Sequence, residues 1–415
     1  MNRIYNGKYH FYLEYYTYVK ITDLCVLLLN TLDNQKIISS NEKIIQLIKR
    51  ILYKKNSVLE IDFDTFYVDD IYQLFFEEVR NKYMGDLIAI NLSKGEPVNF
   101  FPTGKINNNF RVKDKNTFFE YNFLCDNFFN LNIYLNTTCA HNCPNCKDYH
   151  RLFICCSKFL GKSDNNSIEP SLIENMFKYS KFENLNRINI LGGNISLYKN
   201  IDSVLYYLSD YKENCHAYFK YNNVQSINAK IVSFFDNRIS IIVDVSEIDE
   251  NDINILINDY NKYEIYIVLT DELQLEKIVQ LTTSSISYKL IPFFNGKNLS
   301  FFKNNVFLSE EDILETKFTI KKIHKNQFIN SLFYGNLIVL PDGNVCIDIN
   351  GPILGNLYNE TIFDIISKAL LNGDSLWFKT RNTTSCSSCL FVDLCPPISN
   401  YELVIGQSNL CHIKL

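Results

Sequence analysis

The chain has 415 residues, enough for about two or three domains, and 47 % of them are hydrophobic, ample for a packed core. A formal net charge of -5 argues against nucleic acid as the main partner, because such binders usually carry a basic stripe. The start, MNRIYNGKYHFYLEYY, lacks a secretion signal, and the densest apolar run, Cys25 to Leu29, is far short of the ~20 residues of a membrane span. A cytoplasmic chain with no membrane partner is expected, and there thirteen cysteines point to metal or redox chemistry before disulfides.

Residues 1–125 read as a first unit. Phe11 to Ile21 is aromatic and β-branched and reads as one strand; Cys25 to Asn30 reads as a second. Asp33-Asn34 is a turn signal, and Lys36 to Ile38 extends again. From Asn41 onward, EKIIQLIKRILY places Ile44, Ile45, Leu47, Ile48, Ile51 and Leu52 on a broad helical face. A second helix is expected over Asp69 to Lys82. A small sheet followed by helices makes an α+β module.

From Asp126 the rhythm alternates. Strands are expected at Leu131–Leu135, Arg187–Leu191, His216–Lys220, Ile239–Asp244, Glu264–Leu269 and Ser285–Ile291. Helical patterns lie between most of them, at Glu169–Ser180, Ile201–Asp210, Ser226–Phe235, Glu250–Lys262 and Glu272–Leu281. Such alternation implies a parallel sheet with right-handed crossovers. Six units are too few for a closed eight-unit barrel, so residues 126–301 are expected to form an open, partial (β/α)6 barrel of the α/β class. Each polar or glycine cluster follows a strand: the Cys139 loop, Gly192-Gly193-Asn194, Tyr221-Asn222-Asn223, Asp244-Val245-Ser246 and Thr270-Asp271. All therefore fall on the carboxyl rim, where β/α barrels place their chemistry.

Residues 302–415 break the alternation. Gly335 to Leu340, the turn Pro341-Asp342-Gly343-Asn344, and the run to Gly355-Asn356-Leu357 read as a hairpin, with a helix over Asn359–Leu371. The tail carries Cys386, Cys389, Cys395 and Cys411.

The cysteines carry the chemistry. Cys139, Cys143 and Cys146 form C-x3-C-x2-C after the first barrel strand. Three thiolates suit a [4Fe–4S] cluster with one iron left open for a non-protein ligand. The spacing also matches one face of a helix of buried cysteines, although Pro144 and three flanking asparagines oppose a continuous helix. Cys143 and Cys146 alone would make a thioredoxin-like pair, and zinc is a further reading. In the tail, C-x2-C-x5-C with a distal Cys411 suits a second iron–sulfur cluster or a zinc ribbon. Cys25, Cys125 and Cys215 read as small core side chains, and Cys155 and Cys156 as packing on the next helix. Asp148 to Arg151 lines the rim or is a solvated loop. No Ser-His-Asp set, phosphate loop or paired-carboxylate site is present in the sequence.

C-x3-C-x2-C followed by ILGGNISLY resembles the radical S-adenosylmethionine (SAM) superfamily. That resemblance implies that Gly192 and Gly193 approach SAM, and that Asn194 stands where a glutamate receives its amino group. It also implies SAM contacts for Asn222, Asp244 and Ser246. The tail, with its PDG turn and GNL segment, resembles the SPASM extension of peptide-maturing radical SAM enzymes. One auxiliary [4Fe–4S] cluster is then implied on Cys386, Cys389, Cys395 and Cys411, with Cys346 as a substitute ligand; Asp348 and Ser399 stand where further cysteines are usual. Residues 8–82 resemble the winged-helix-like leader-peptide recognition elements of such enzymes. HFYLEYY and CPPISNYE resemble the (pseudo-)radical-SAM maturases of Bacteroidales double-glycine peptide systems. Two functions are implied: a maturase acting on a ribosomal precursor peptide through a 5′-deoxyadenosyl radical, or a catalytically silent relative that presents the peptide to a partner maturase.

Overall fold

The structure, a computed structural model, describes residues 7–54, 56–62, 69–93, 95, 128–141, 143, 146, 167–178, 182, 184–249, 252, 255, 262–281 and 288–413. Cys125, Cys155, Cys156, Asp148 to Arg151, most of the helix expected over Glu250–Lys262 and the start of the strand expected from Ser285 lie outside these residues.

The first unit contains β1 (Lys8–Leu13), β2 (Thr17–Ile21), β3 (Val26–Asn30), β4 (Lys36–Ser39), α1 (Glu42–Tyr53), β5 (Val58–Asp62), α2 (Asp70–Asn81) and β6 (Gly85–Ala89). The single strand expected over Phe11–Ile21 is two. The chain turns where Thr17 N donates to Glu14 O at 2.9 Å, and β1 and β2 then enter different sheets, β5-β1-β6 and β2-β3-β4. An aromatic run with no Gly or Pro hides that turn. β5 and β6 are short strands that sequence reasoning missed; each is held by antiparallel pairing to β1. The helices start where local chemistry puts them: the Asn41 and Asp69 side chains accept from Lys43 N and Ile71 N, both at 3.0 Å.

The alternating region holds β7 (Asn130–Tyr134), α3 (Pro170–Lys178), β8 (Arg187–Leu191), α4 (Ile201–Tyr207), β9 (Cys215–Lys220), α5 (Ala229–Phe235), β10 (Ile239–Asp244), β11 (Glu264–Leu269), α6 (Glu272–Leu281) and β12 (Tyr288–Pro292). After it come α7 (Leu299–Asn305), α8 (Glu310–Glu315), α9 (Ile320–Phe328), β13 (Asn336–Val339), β14 (Asn344–Cys346), β15 (Ile353–Asn356), α10 (Ile362–Leu371) and α11 (Asn400–Ile405).

The fold is mixed α/β around a nine-stranded sheet of order β12-β11-β10-β9-β8-β7-β13-β14-β15. The pairs from β12 through β13 are parallel, and only β13–β14 and β14–β15 are antiparallel. The hairpin that follows the alternation thus joins the same sheet, with Asn336 opposite Asn130 and Val339 opposite Ile133. Trp377 anchors its start: the ring is fully buried and Nε1 donates to Asn336 O at 3.1 Å. Neither β12 nor β15 pairs on its outer edge among the described residues, so the sheet stays open.

Strands covered on both faces are mostly apolar, and all six residues of β10 are buried, Ser240 and Asp244 included. Successive side chains then serve two cores. Ile133, Ile190, Ala217 and Val243 face the helices, while Tyr134, Leu191, Tyr218, Ile242 and Tyr266 fill the concave side. Among the described residues no helix is long and apolar enough to cross a membrane.

Candidate metal centres

The first cysteine loop leaves β7 against the chain that leaves β8. Gly193 N donates to Asn136 O at 2.9 Å, Asn194 N to Thr138 O at 2.7 Å, and Asn136 Nδ2 to Asn194 O at 3.0 Å. This approach requires the two glycines. A Cβ on Gly192 would lie 2.8 Å from Asn136 Oδ1, and one on Gly193 would lie 2.5 Å from Thr138 O. The loop's own backbone therefore fills the space that Gly192 and Gly193 leave.

Cys139 and Cys143 are half-buried and Cys146 is buried. The amide of Asn223 points at Cys139, with Nδ2 to Sγ at 3.9 Å. A turn joins the other two, Cys146 N donating to Cys143 O at 3.1 Å. Burial pushes the Cys143 thiol up to about 11, with the Lys220 ammonium opposing and Glu247 adding to the rise. Lys220 and Glu247 form a buried ion pair at 2.9 Å, their side chains 2 % and 8 % exposed. Sequence reasoning missed both residues. The available signal was a lysine closing the otherwise apolar strand CHAYFK, at a strand end on the same rim.

The other rim residues have identifiable local partners. Asn194 is buried and caps the short turn Ile195–Leu197, its Oδ1 accepting from Ser196 N at 3.0 Å. Its Nδ2 donates to Asn223 Oδ1 at 3.3 Å and Ser226 Oγ at 3.1 Å. The carboxamide is thus engaged at both ends by the protein. Asp244 is buried and caps the turn Val245–Glu247, accepting from Ser246 N at 3.0 Å and Ser246 Oγ at 2.6 Å. Asn222 is exposed and donates to Glu247 Oε2 at 3.2 Å; its neighbour Asn223 is the buried residue that faces the cysteine loop.

The second group lies in the C-terminal segment. Cys386, Cys389, Cys395 and Cys411 line one small cavity together with Leu308, Val392, Leu410, Ile413 and Arg381. Local turns set the spacing: Cys389 N donates to Cys386 O, and Cys395 N to Phe391 O, both at 2.9 Å. Cys411 arrives from the chain end through its bridge to Leu308. Arg381 is fixed by three acceptors, Pro396 O at 2.6 Å, Glu402 Oε1 at 2.7 Å and Ser408 O at 2.9 Å. Burial pushes the Cys395 thiol up to about 12 against the pull of Arg381, and the neighbouring cysteines push the same way.

Cys346 is not brought to this cavity. It is fully buried on β14, in the concave core with Tyr134 and Leu191. Asp348 instead meets Asn400, whose Nδ2 donates to it at 2.6 Å, while Ser399 caps α11. The two positions where the resemblance expects extra cysteines therefore sit one residue from contact, tied by a carboxylate–amide bond.

The four C-terminal thiols line one apolar cavity beside Arg381, a donor set of the kind an iron–sulfur cluster takes, whereas the three loop thiols share a short segment in which a turn joins Cys143 and Cys146. Among the described residues, no three Cys, His, Asp or Glu side chains converge into single-ion geometry. The ammonium site expected at Asn194 fits less well, because its oxygen and both donors already have protein partners.

No family model matches the sequence, and no curated protein matches it. Solved structures that superpose on the chain include Streptococcus suis SuiB bound to precursor peptide SuiA, at 15 % identity and a TM-score of 0.44 over 96 % of this chain and 98 % of that one. SuiB bound to S-adenosylmethionine superposes at 13 % identity and 0.45 over 96 % and 97 %. SuiB alone does so at 12 % and 0.44 over 97 % and 100 %. Likeness this slight carries no argument about this chain's chemistry.

Proposed function

We propose that the chain is a radical SAM peptide maturase, of the kind that serves Bacteroidales double-glycine peptide systems. Residues 1–125 form a domain that binds the leader of a precursor peptide through residues 8–82. Residues 126–301 form the radical SAM barrel, and residues 302–415 form a SPASM-like domain. Cys139, Cys143 and Cys146 hold a [4Fe–4S] cluster with an iron open to SAM. Cys386, Cys389, Cys395 and Cys411 hold an auxiliary one. The observation that carries this reading is the set of three thiols on a loop pinned to the carboxyl rim by Gly192-Gly193-Asn194.

A cluster held by Cys139, Cys143 and Cys146 would supply, when reduced, the electron for reductive cleavage of SAM and so the radical chemistry of a maturase. The chain's own residues prepare the site. Gly192 and Gly193 let the loop lie flat on the rim. Asn223 orients the Cys139 side of the loop. The buried Lys220–Glu247 pair lies beside Cys143 and fixes the polar side of the loop's surroundings. Tyr134, Leu191 and Ile242 pack together with Cys143 on the face of the sheet that the loop covers.

The test is anaerobic reconstitution with iron and sulfide, reduction, and addition of SAM. Release of 5′-deoxyadenosine and methionine is the expected result. A full complement of iron with no such release overturns the enzyme reading. A second reading rests on Asn194, whose amide is already used as a cap: the chain is then a silent relative that binds the precursor peptide and hands it to a partner maturase.

A further inference from the structure

The N-terminal sheet and the C-terminal cysteine segment share one buried core, in which Tyr18, Leu27 and Leu29 pack with Phe318, Cys386 and Cys389. Within it, Tyr18 is 1 % exposed and its hydroxyl donates to Asp393 Oδ2 at 2.7 Å, across 375 residues of sequence. Asp393 is buried and lies in the five-residue span between Cys389 and Cys395. Its carboxylate also accepts from Asn382 Nδ2 at 2.7 Å and Gln327 Nε2 at 3.1 Å. These three donors are neutral, so each is a sizeable part of what holds a buried carboxylate in place. Two come from the C-terminal segment and the third from β2.

Two further observations agree. Tyr18 and Lys20 are two apart on β2 and so share the face turned to the cysteines. The sheet is also latched nearby, Phe318 N donating to Asn34 Oδ1 at 2.7 Å and Lys36 Nζ to Leu314 O.

We infer that β2 of the N-terminal unit is a wall of the C-terminal cysteine centre, with Tyr18 as the positioning residue that fixes the Cys389–Cys395 loop through Asp393. The inference rests on the proposed function for what the centre holds, and not for the wall itself. Any event that pulls β2 away, including strain from a peptide on the N-terminal unit, opens the loop that carries two of the four thiols.

The test uses the full chain. In metal-free protein, alkylation of Cys389 and Cys395 under native conditions is followed by mass spectrometry, with fully buried Cys215 as the internal control. Tyr18→Phe speeds alkylation of the pair about tenfold, the size of a lost hydrogen bond to a charged group, and leaves Cys215 protected. Equal rates in wild type and variant overturn the wall. If Cys215 also loses protection, wild-type protein in low urea decides: amide exchange of β2 and alkylation of Cys389 rise together if the wall exists, and independently if it does not. In reconstituted protein, Lys20→Gln moves the C-terminal cluster to lower potential and Tyr18→Phe alters its EPR signal, while the rim cluster keeps both. Signals unmoved in both variants overturn the proposal. Wild-type protein that takes up iron only at the rim removes the auxiliary-cluster reading, and alkylation still decides the wall.

Discussion

The two cysteine centres are built on opposite plans. The rim loop offers three thiols among polar neighbours, the Asn223 amide and the Lys220–Glu247 pair, with two of its thiols half-exposed. The C-terminal centre offers four thiols against Leu308, Val392, Leu410 and Ile413, with one arginine locked by three acceptors. A site with fewer protein ligands than irons and polar surroundings suits exchange of an outside ligand. A site with a full set and apolar walls suits holding a group still. On the proposed reading the chain pairs an open centre with a closed one, and each cysteine group depends on a different kind of contact.

The closed centre is the more sensitive to a single change. Arg381→Ala leaves Glu402, in the first turn of α11, buried without its charge partner, the pair being 10 % and 3 % exposed. A loss of about 3–5 kcal/mol is expected in denaturant titrations, with iron lost from the C-terminal centre and kept at the rim. Arg381→Lys keeps the charge but cannot reach three acceptors at once, and recovers only part of that loss. Iron retained by Arg381→Ala at the C-terminal centre would erase the distinction between the two plans.

The open centre depends on backbone contact instead. Gly193→Ala drives a methyl group to 2.5 Å from Thr138 O, one residue before Cys139. An overpacking loss of about 1–3 kcal/mol is expected, with iron lost at the rim and the C-terminal EPR signal unchanged. The opposite pattern would show that the glycines serve something other than the loop.

The smallest effect is a pH dependence confined to the nine-stranded sheet. Burial, reinforced by Arg187 and Arg238, lowers the pKa of His216 on β9 from 6.5 to about 4. The folded value lies below the unfolded one, so the unfolded chain takes up the proton first. Stability is therefore full above pH 6.5 and declines as pH falls toward 4, by about 1–2 kcal/mol once solvent screening at a half-buried site is allowed for. His216→Gln flattens that window. Hydrogen exchange should place the loosening in β9 and its neighbours and leave the C-terminal centre unaffected.

Much of the frame is legible in the sequence. The strands from β7 to β12 stand close to where the alternation put them, and the polar clusters follow their ends, because period and punctuation are local properties. Asn41 and Asp69 announced their helices for the same reason. The break between β1 and β2 was not legible, since no glycine or proline marks it. The placing of β13 beside β7 was not legible either, because pairing across some 200 residues leaves no trace in spacing. At the rim, Asn222 and Asn223 read alike; only burial separates the exposed one from the one that faces Cys139.

Ligand spacing, strand order along the chain and the residue types at the rim are properties of contiguous residues, and the amino-acid string was enough to set them out. Which thiols share a cavity is not such a property. Packing brought Cys411 to Cys386, Cys389 and Cys395 and left Cys346 in the concave core, where β14 turns its side chain inward. Packing also paired Lys220 with Glu247 under the rim loop and set Tyr18 against Asp393. Those contacts form where the burial of a charge or a hydroxyl demands a partner, and the folded chain alone determines which partner is within reach.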